Sequence, residues 1–109
     1  MVGVYKVTVH SKAEKDLEDT IEYLKENTGY QVAEELQKEF IETLRELTKR
    51  PTSYSLFRTD HYQNHRFRKA IIKKAWNLIF EIDEEAHQIY VLRMLHVKRS
   101  TSFIKKNIK

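Results

Sequence analysis

"WNLIFEIDEEAHQIYVLRMLH", Trp76 to His96, decides how this chain folds. Its first eight residues set Trp76, Leu78, Phe80 and Ile82 at alternate positions, the period of two that turns one side of a strand toward a core. Its last nine, Gln88 to His96, are apolar almost without a break, as befits a central strand inside a sheet. "DEEAH" between them is a short polar turn. One residue resists: Arg93 interrupts the final run, and His96, Lys98 and Arg99 then follow within four positions. By strict alternation Val91 and Leu95 share a face with Arg93, while Leu92 and Met94 share one with His96. The strand is expected to leave the core at His96 and to present its cations to solvent beside Arg68.

Working outward, "RFRKAII" before this stretch reads as a further strand, and Lys69, Lys73 and Lys74 near its end fit either a phosphate-facing patch or lysines that block edge pairing. "RPTSYSLFRTDHYQNH", residues 50–65, shows no period and reads as a long connection. Upstream of it "YQVAEELQKEFIETLRELTKRP" spaces Ala33, Leu36, Phe40, Leu44 and Leu47 along one helical face, and Pro51 forbids continuation. "SKAEKDLEDTIEYLKENTG" does the same with Ala13, Leu17, Ile21 and Leu24. Ser11 and Glu14 have the spacing of a capping box, and Asn27 and Gly29 supply the stop. The two helices, about Lys12–Asn27 and Gln31–Lys49, must form an antiparallel hairpin. "VYKVTVH" alternates Tyr5, Val7 and Val9 against polar residues as a half-buried strand. The expected fold is α+β, in the order β-α-α-β-β-β, with the long hairpin on one face of a small antiparallel-rich sheet and the other face open to a ligand. The tail "TSFIKKNIK", residues 101–109, is basic, a short helix or a frayed end.

At 109 residues the chain suits one domain, 1–109, with one core. It has no cysteine, which removes disulfide and thiolate chemistry and suits a reducing cytoplasm. No apolar run reaches the ~18 residues of a membrane span, and the N-terminus lacks the pattern of a signal peptide, so a soluble cytoplasmic protein without a membrane partner is expected. The net charge of +4 is divided unevenly: residues 1–57 hold 8 Lys/Arg and 11 Asp/Glu, residues 58–109 hold 12 and 5. A basic half attracts phosphate backbones or an acidic protein.

Other chemistry is thin. His61 and His65 are four apart but lack a third ligand, so no metal is expected. Asp83, Glu84 and Glu85 belong to a solvated turn. With only Gly3 and Gly29, no phosphate-cradling loop exists, and no cofactor is expected. Trp76, Leu78, Phe80 and Ile82 are core residues and not a base-stacking platform.

The order of elements, "RFRKAIIKKAWNLIFEID" and "YVLRMLHVKRS" together resemble the RelE/ParE superfamily, the toxins of bacterial type II toxin–antitoxin modules, plasmid stabilisation proteins among them. The resemblance runs from about Val4 to Ser100. It implies a cognate acidic antitoxin, a homodimer or a toxin–antitoxin hetero-oligomer as the assembly, and one of two mechanisms. RelE-like members cut mRNA in the ribosomal A site; ParE-like members inhibit DNA gyrase.

For a nuclease of this type the resemblance places catalytic roles on Arg68, His96 and Arg99. Ala70 and Asn77 stand where that branch carries cations, and no tyrosine follows Tyr90 where it carries one. His96 falls where a YoeB-like branch places an acid or base, although a histidine at a strand end is more often a structural hydrogen-bond partner. The long hairpin is closer to the ParE type. The resemblance therefore implies a toxin that binds a protein target such as gyrase, through Arg58, Arg68, Lys69, Arg93, His96, Lys98 and Arg99, which would also meet the antitoxin. A ribosome-dependent endoribonuclease is the alternative, and a non-toxic or decayed basic interaction module the third.

Overall fold

Two helices, α1 (Ser11–Asn27) and α2 (Tyr30–Lys49), lie across one face of a mixed sheet. The computed structural model describes residues 4–59 and 62–99, with 58, 59 and 62–65 described by backbone alone. The strands are β1 (Lys6–Val9), β2 (Leu56–Thr59), β3 (Tyr62–Ile72), β4 (Trp76–Asp83) and β5 (Gln88–His96). They are ordered β1-β5-β4-β3-β2, with β1 parallel to β5 and every other pair antiparallel. The α+β architecture is the expected one, and β4 and β5 start and stop where the sequence places them.

The 50–65 segment departs from expectation. Instead of a long connection it holds a 3₁₀ turn at Pro51–Ser53, then β2, and β3 already begins at Tyr62. The sheet thus has one more strand than the sequence pattern shows. A short edge strand needs only backbone partners, here Leu56 opposite Arg68 and Arg58 opposite Gln63, so it leaves no apolar period to read.

Both helical stripes pack as expected. Ala13 and Leu24 from α1 and Ala33, Leu36, Phe40 and Leu47 from α2 are buried against Ala70, Ile72, Leu78, Phe80, Ile89, Val91 and Met94 of the sheet, with Leu17, Ile21 and Leu44 half-buried around them. Each fully buried Leu or Phe contributes about 1.5–3 kcal/mol, against about 1 kcal/mol for a cap, so packing decides where the helices lie. The cap itself differs from expectation. Ser11 is already helical, and His10 is the N-cap, its Nδ1 accepting from the Lys12 N–H. Thr28 and Gly29 N–H groups both close on the Leu24 carbonyl, and Gly29 turns the chain into α2 at φ +135°, which only glycine reaches without strain.

A bulge in β5 overturns the face assignment made from alternation. Phe80 faces Val91 but Ile79 faces Arg93, so Leu92 is the extra residue. Val91 and Met94 therefore both reach the core under the helices. Leu95 and Leu92 instead join Phe57, Phe67 and Ile79 in a second cluster. Ile79 lies between the inward-facing Leu78 and Phe80, so this cluster occupies the opposite side of the sheet. That side is not left wholly open to a ligand, as expected; it carries a small core of its own.

Candidate functional site

Arg93 owes its place in a core strand to Asp16. β1 ends at Val9, opposite Val91, so β5 loses its parallel neighbour just before the bulge. α1 occupies the vacated edge, and the Asp16 carboxylate stands in for a strand. Arg93 donates to it from Nε (2.8 Å) and Nη2 (3.0 Å), and the Met94 N–H donates to it at 2.9 Å. The Asp16 hydrogen bond, more than its charge, raises the Arg93 pKa further above its ordinary value. Arg93 is thus held in a fork on Asp16, with its side chain 30% exposed.

His96 ends β5 in a tight turn. Its Nδ1 accepts from the Lys98 N–H at 3.2 Å, its carbonyl accepts from the Arg99 N–H at 2.8 Å, and its ring meets the edge of Trp76 at 6.0 Å and 82°. With Nδ1 accepting, the neutral ring keeps its proton on Nε2. This geometry is that of a residue that shapes the turn and aims Lys98 and Arg99, both exposed, into solvent.

Arg68 is elsewhere. It sits opposite Phe80, whereas His96 sits opposite Trp76, itself opposite Ile72. Four residues of strand separate the two levels, roughly 13 Å. Arg68 also donates from Nη1 to the Tyr54 carbonyl at 2.6 Å, tying the 3₁₀ segment to the sheet. The expected grouping of Arg68 with His96, Lys98 and Arg99 does not occur, because the register sets them at different heights. Lys69 alternates to the other side, its Nζ 5.4 Å from the Phe57 ring centre. The Arg58 side chain, His61, the side chain of His65 and the basic tail lie outside the described residues.

What joins the exit is the β3–β4 turn. Lys73 (φ +52°) and Lys74 (φ +60°) form it, closed by the Ala75 N–H to the Ile72 carbonyl at 3.1 Å. The sequence allows either a phosphate-facing patch or an edge-blocking strand end for these lysines; the left-handed pair makes them the turn itself. The Ala75 carbonyl accepts from the Val97 N–H at 2.8 Å, which binds the turn to the residue just past β5. Lys73 is clamped to α2: its N–H donates to Glu39 Oε2 (2.8 Å) and its Nζ to Glu35 Oε1 (3.0 Å). Lys74 is exposed, and among the described residues it forms no ion pair; nor do Lys98 and Arg99. Three open cations thus flank Trp76 and His96 at one end of the sheet. Lys74 belongs to this group; the sequence sets it beside Lys69 and Lys73 but does not join it to His96, Lys98 and Arg99, because no Asn-Gly signature marks the turn.

The Lys73 hydrogen bond and charge hold the Glu35 carboxyl below its ordinary range. A lowered folded-state pKa means that this pairing supports the fold above the unfolded Glu value and is lost as pH falls through the folded one. In an NMR titration, Lys73→Ala should move the Glu35 midpoint upward; an unchanged midpoint would show that the pair does not persist in solution.

Among the described residues, no three His, Asp or Glu side chains gather as a metal site, and no helix is long and apolar enough to cross a membrane. Residues 7–101 match the family model described as ParE toxin of type II toxin–antitoxin system, parDE. No curated protein sequence matches the chain. Among solved structures, the chromosomal ParDE system from Pseudomonas aeruginosa aligns with a TM-score of 0.69 at 15% identity, covering 86% of this chain and 97% of that one. The toxin–antitoxin complex RelBE2 from Mycobacterium tuberculosis aligns at 0.58 and 18% identity, covering 85% and 98%. The archaeal RelE–RelB complex from Pyrococcus horikoshii aligns at 0.54 and 14%, covering 88% and 98%. At these identities the three share the fold.

Proposed function

The chain belongs to the ParE toxin family of type II toxin–antitoxin systems, and from that premise we propose that it arrests growth by binding an acidic surface of a protein target such as DNA gyrase. One observation carries this reading. The arginines best placed for chemistry inside the sheet are engaged, Arg68 by the Tyr54 carbonyl and Arg93 by Asp16, while Lys74, Lys98 and Arg99 at the strand exit are exposed and form no ion pair among the described residues. Cleaving RNA requires a base, cations at the phosphate and a leaving-group donor converging within hydrogen-bond reach. Binding requires only the exposed charges and the rigid turn that aims them.

The protein acts in the cytoplasm and is silenced by a cognate antitoxin. Two of the similar solved structures, RelBE2 from Mycobacterium tuberculosis and RelE–RelB from Pyrococcus horikoshii, are complexes of a toxin with its antitoxin, which supports this reading. An acidic, amphipathic antitoxin segment suits the basic second half of this chain, in a hetero-oligomeric complex.

Induction in a bacterial host tests the reading. The SOS response should rise before amino-acid incorporation falls. The double reversal Lys98→Glu/Arg99→Glu should restore colony formation by about 100-fold, taking about tenfold in affinity for each contact. Immediate loss of amino-acid incorporation without an SOS response would instead favour the ribosome as target.

A further inference from the structure

We propose that the Lys73–Lys74 turn is a contact element of this surface, held in shape by Glu39 and Glu35 of α2, and that it delivers Lys74 to the acidic target beside Lys98 and Arg99. The inference rests on the reading of the strand exit as the target-binding surface.

The turn closes between Ile72 and Ala75 with positive φ at both central residues. Asn and Gly adopt that conformation readily, whereas a lysine there is disfavoured by its Cβ. For Lys73 the fold supplies an offset, since Glu39 takes its N–H and Glu35 its ammonium. The Glu39 contact is made to backbone and would serve any residue at 73. For Lys74 the fold supplies none: its φ is +60°, and its side chain is exposed and without an ion pair among the described residues. A lysine that the fold disfavours, held by a clamped turn and aimed at solvent, points to an anion outside the chain.

The Val97 N–H bond to the Ala75 carbonyl makes the turn and the β5 exit one unit, so Lys74, Lys98 and Arg99 approach a partner together. The surroundings favour protein over phosphate backbone. Ile71, 55% exposed, lies two residues before the turn and Val97, 38% exposed, directly precedes Lys98, and exposed apolar side chains in the same segments as the cations suit an acidic protein surface with an apolar element. Glu39 is then a positioning residue: it touches no partner and acts by fixing the turn.

Three variants separate this role from mere turn geometry, scored by colony formation on induction, with protein level and thermal midpoint measured alongside. Lys74→Gly places the preferred residue at the left-handed position, so its thermal midpoint should equal or exceed the parent's. Its growth inhibition should nevertheless fall about tenfold, the factor carried by one lost charged contact. Glu39→Ala should weaken inhibition similarly, and Glu39→Gln, which still accepts from the Lys73 N–H, should restore it. Parent-level inhibition by Lys74→Gly, with inhibition lost in Lys98→Glu/Arg99→Glu, would overturn this inference and leave the binding surface standing. Parent-level inhibition by both, or a parent chain that does not inhibit growth, would overturn the surface and this inference together.

Discussion

Asp16→Ala should lower the thermal midpoint by roughly 10–15 °C, the largest stability effect expected of any single charged residue described here. The carboxylate receives three hydrogen bonds, two from Arg93 and one from the Met94 N–H. Its side chain is 14% exposed and that of Arg93 30%. Alanine strands a guanidinium and a strand N–H in a place where water reaches them poorly, a loss of about 2–3 kcal/mol after allowing for the partial exposure of Arg93. In a domain of about 100 residues each kcal/mol moves the midpoint by about 4–8 °C. Asp16→Asn should cost about half as much, because the amide oxygen still accepts from Met94. Melting curves followed by circular dichroism decide the matter. A midpoint for Asp16→Ala within about 3 °C of the parent's would mean that the open edge of β5 is supported by something other than this carboxylate.

That contact also marks how far the sequence could be read. The stripes Ala13–Leu24 and Ala33–Leu47 and the alternation Trp76–Ile82 announce helix, helix and strand because each repeats a burial pattern over several turns or pleats. The partner of Arg93 lies 77 residues away, and no local period joins the two. The bulge at Leu92 was hidden for a related reason. In "YVLRML" every residue but one is apolar, so a slip of one position leaves the pattern equally plausible, and only pairing with β4 shows which side Met94 takes. β2 was missed because a four-residue edge strand is specified by backbone hydrogen bonds. At the candidate site, His96, Lys98 and Arg99 could be read as a cluster from their adjacency. Arg68 could not be placed, since its distance from them depends on register. Lys74 was visible as a residue but not as a turn position, because the Asn-Gly signature that normally announces such a turn is absent.

Purified protein added to programmed ribosomes should give no codon-linked mRNA cleavage above background. An RNA-cutting site must stabilise a phosphorane with added negative charge, and one preorganised donor is commonly worth 10²–10³ in rate, about 3–4 kcal/mol. The resemblance implies that Ala70 and Asn77 stand where RelE-like nucleases carry cations. Ala70 is buried in the core under the helices, and Asn77 is also buried, within β4. Neither place could present a charge to a phosphate without rearranging the sheet. Arg68 stands about 13 Å along the strands from the level of His96, further than one phosphate can bridge. The loss of even one such donor costs about 10²–10³-fold, and losses among groups that act as a unit do not simply multiply. At the strand exit, among the described residues, His96 remains as a proton carrier, with Nδ1 already accepting from the Lys98 N–H. Primer extension over a defined message reads the outcome directly. Discrete A-site cuts that vanish in His96→Ala, and whose rate follows an imidazole titration, would show that the strand exit performs catalysis and would displace the binding reading. Ribosomes left intact by protein that still arrests growth would place the target elsewhere, in keeping with an acidic surface met by Lys74, Lys98 and Arg99.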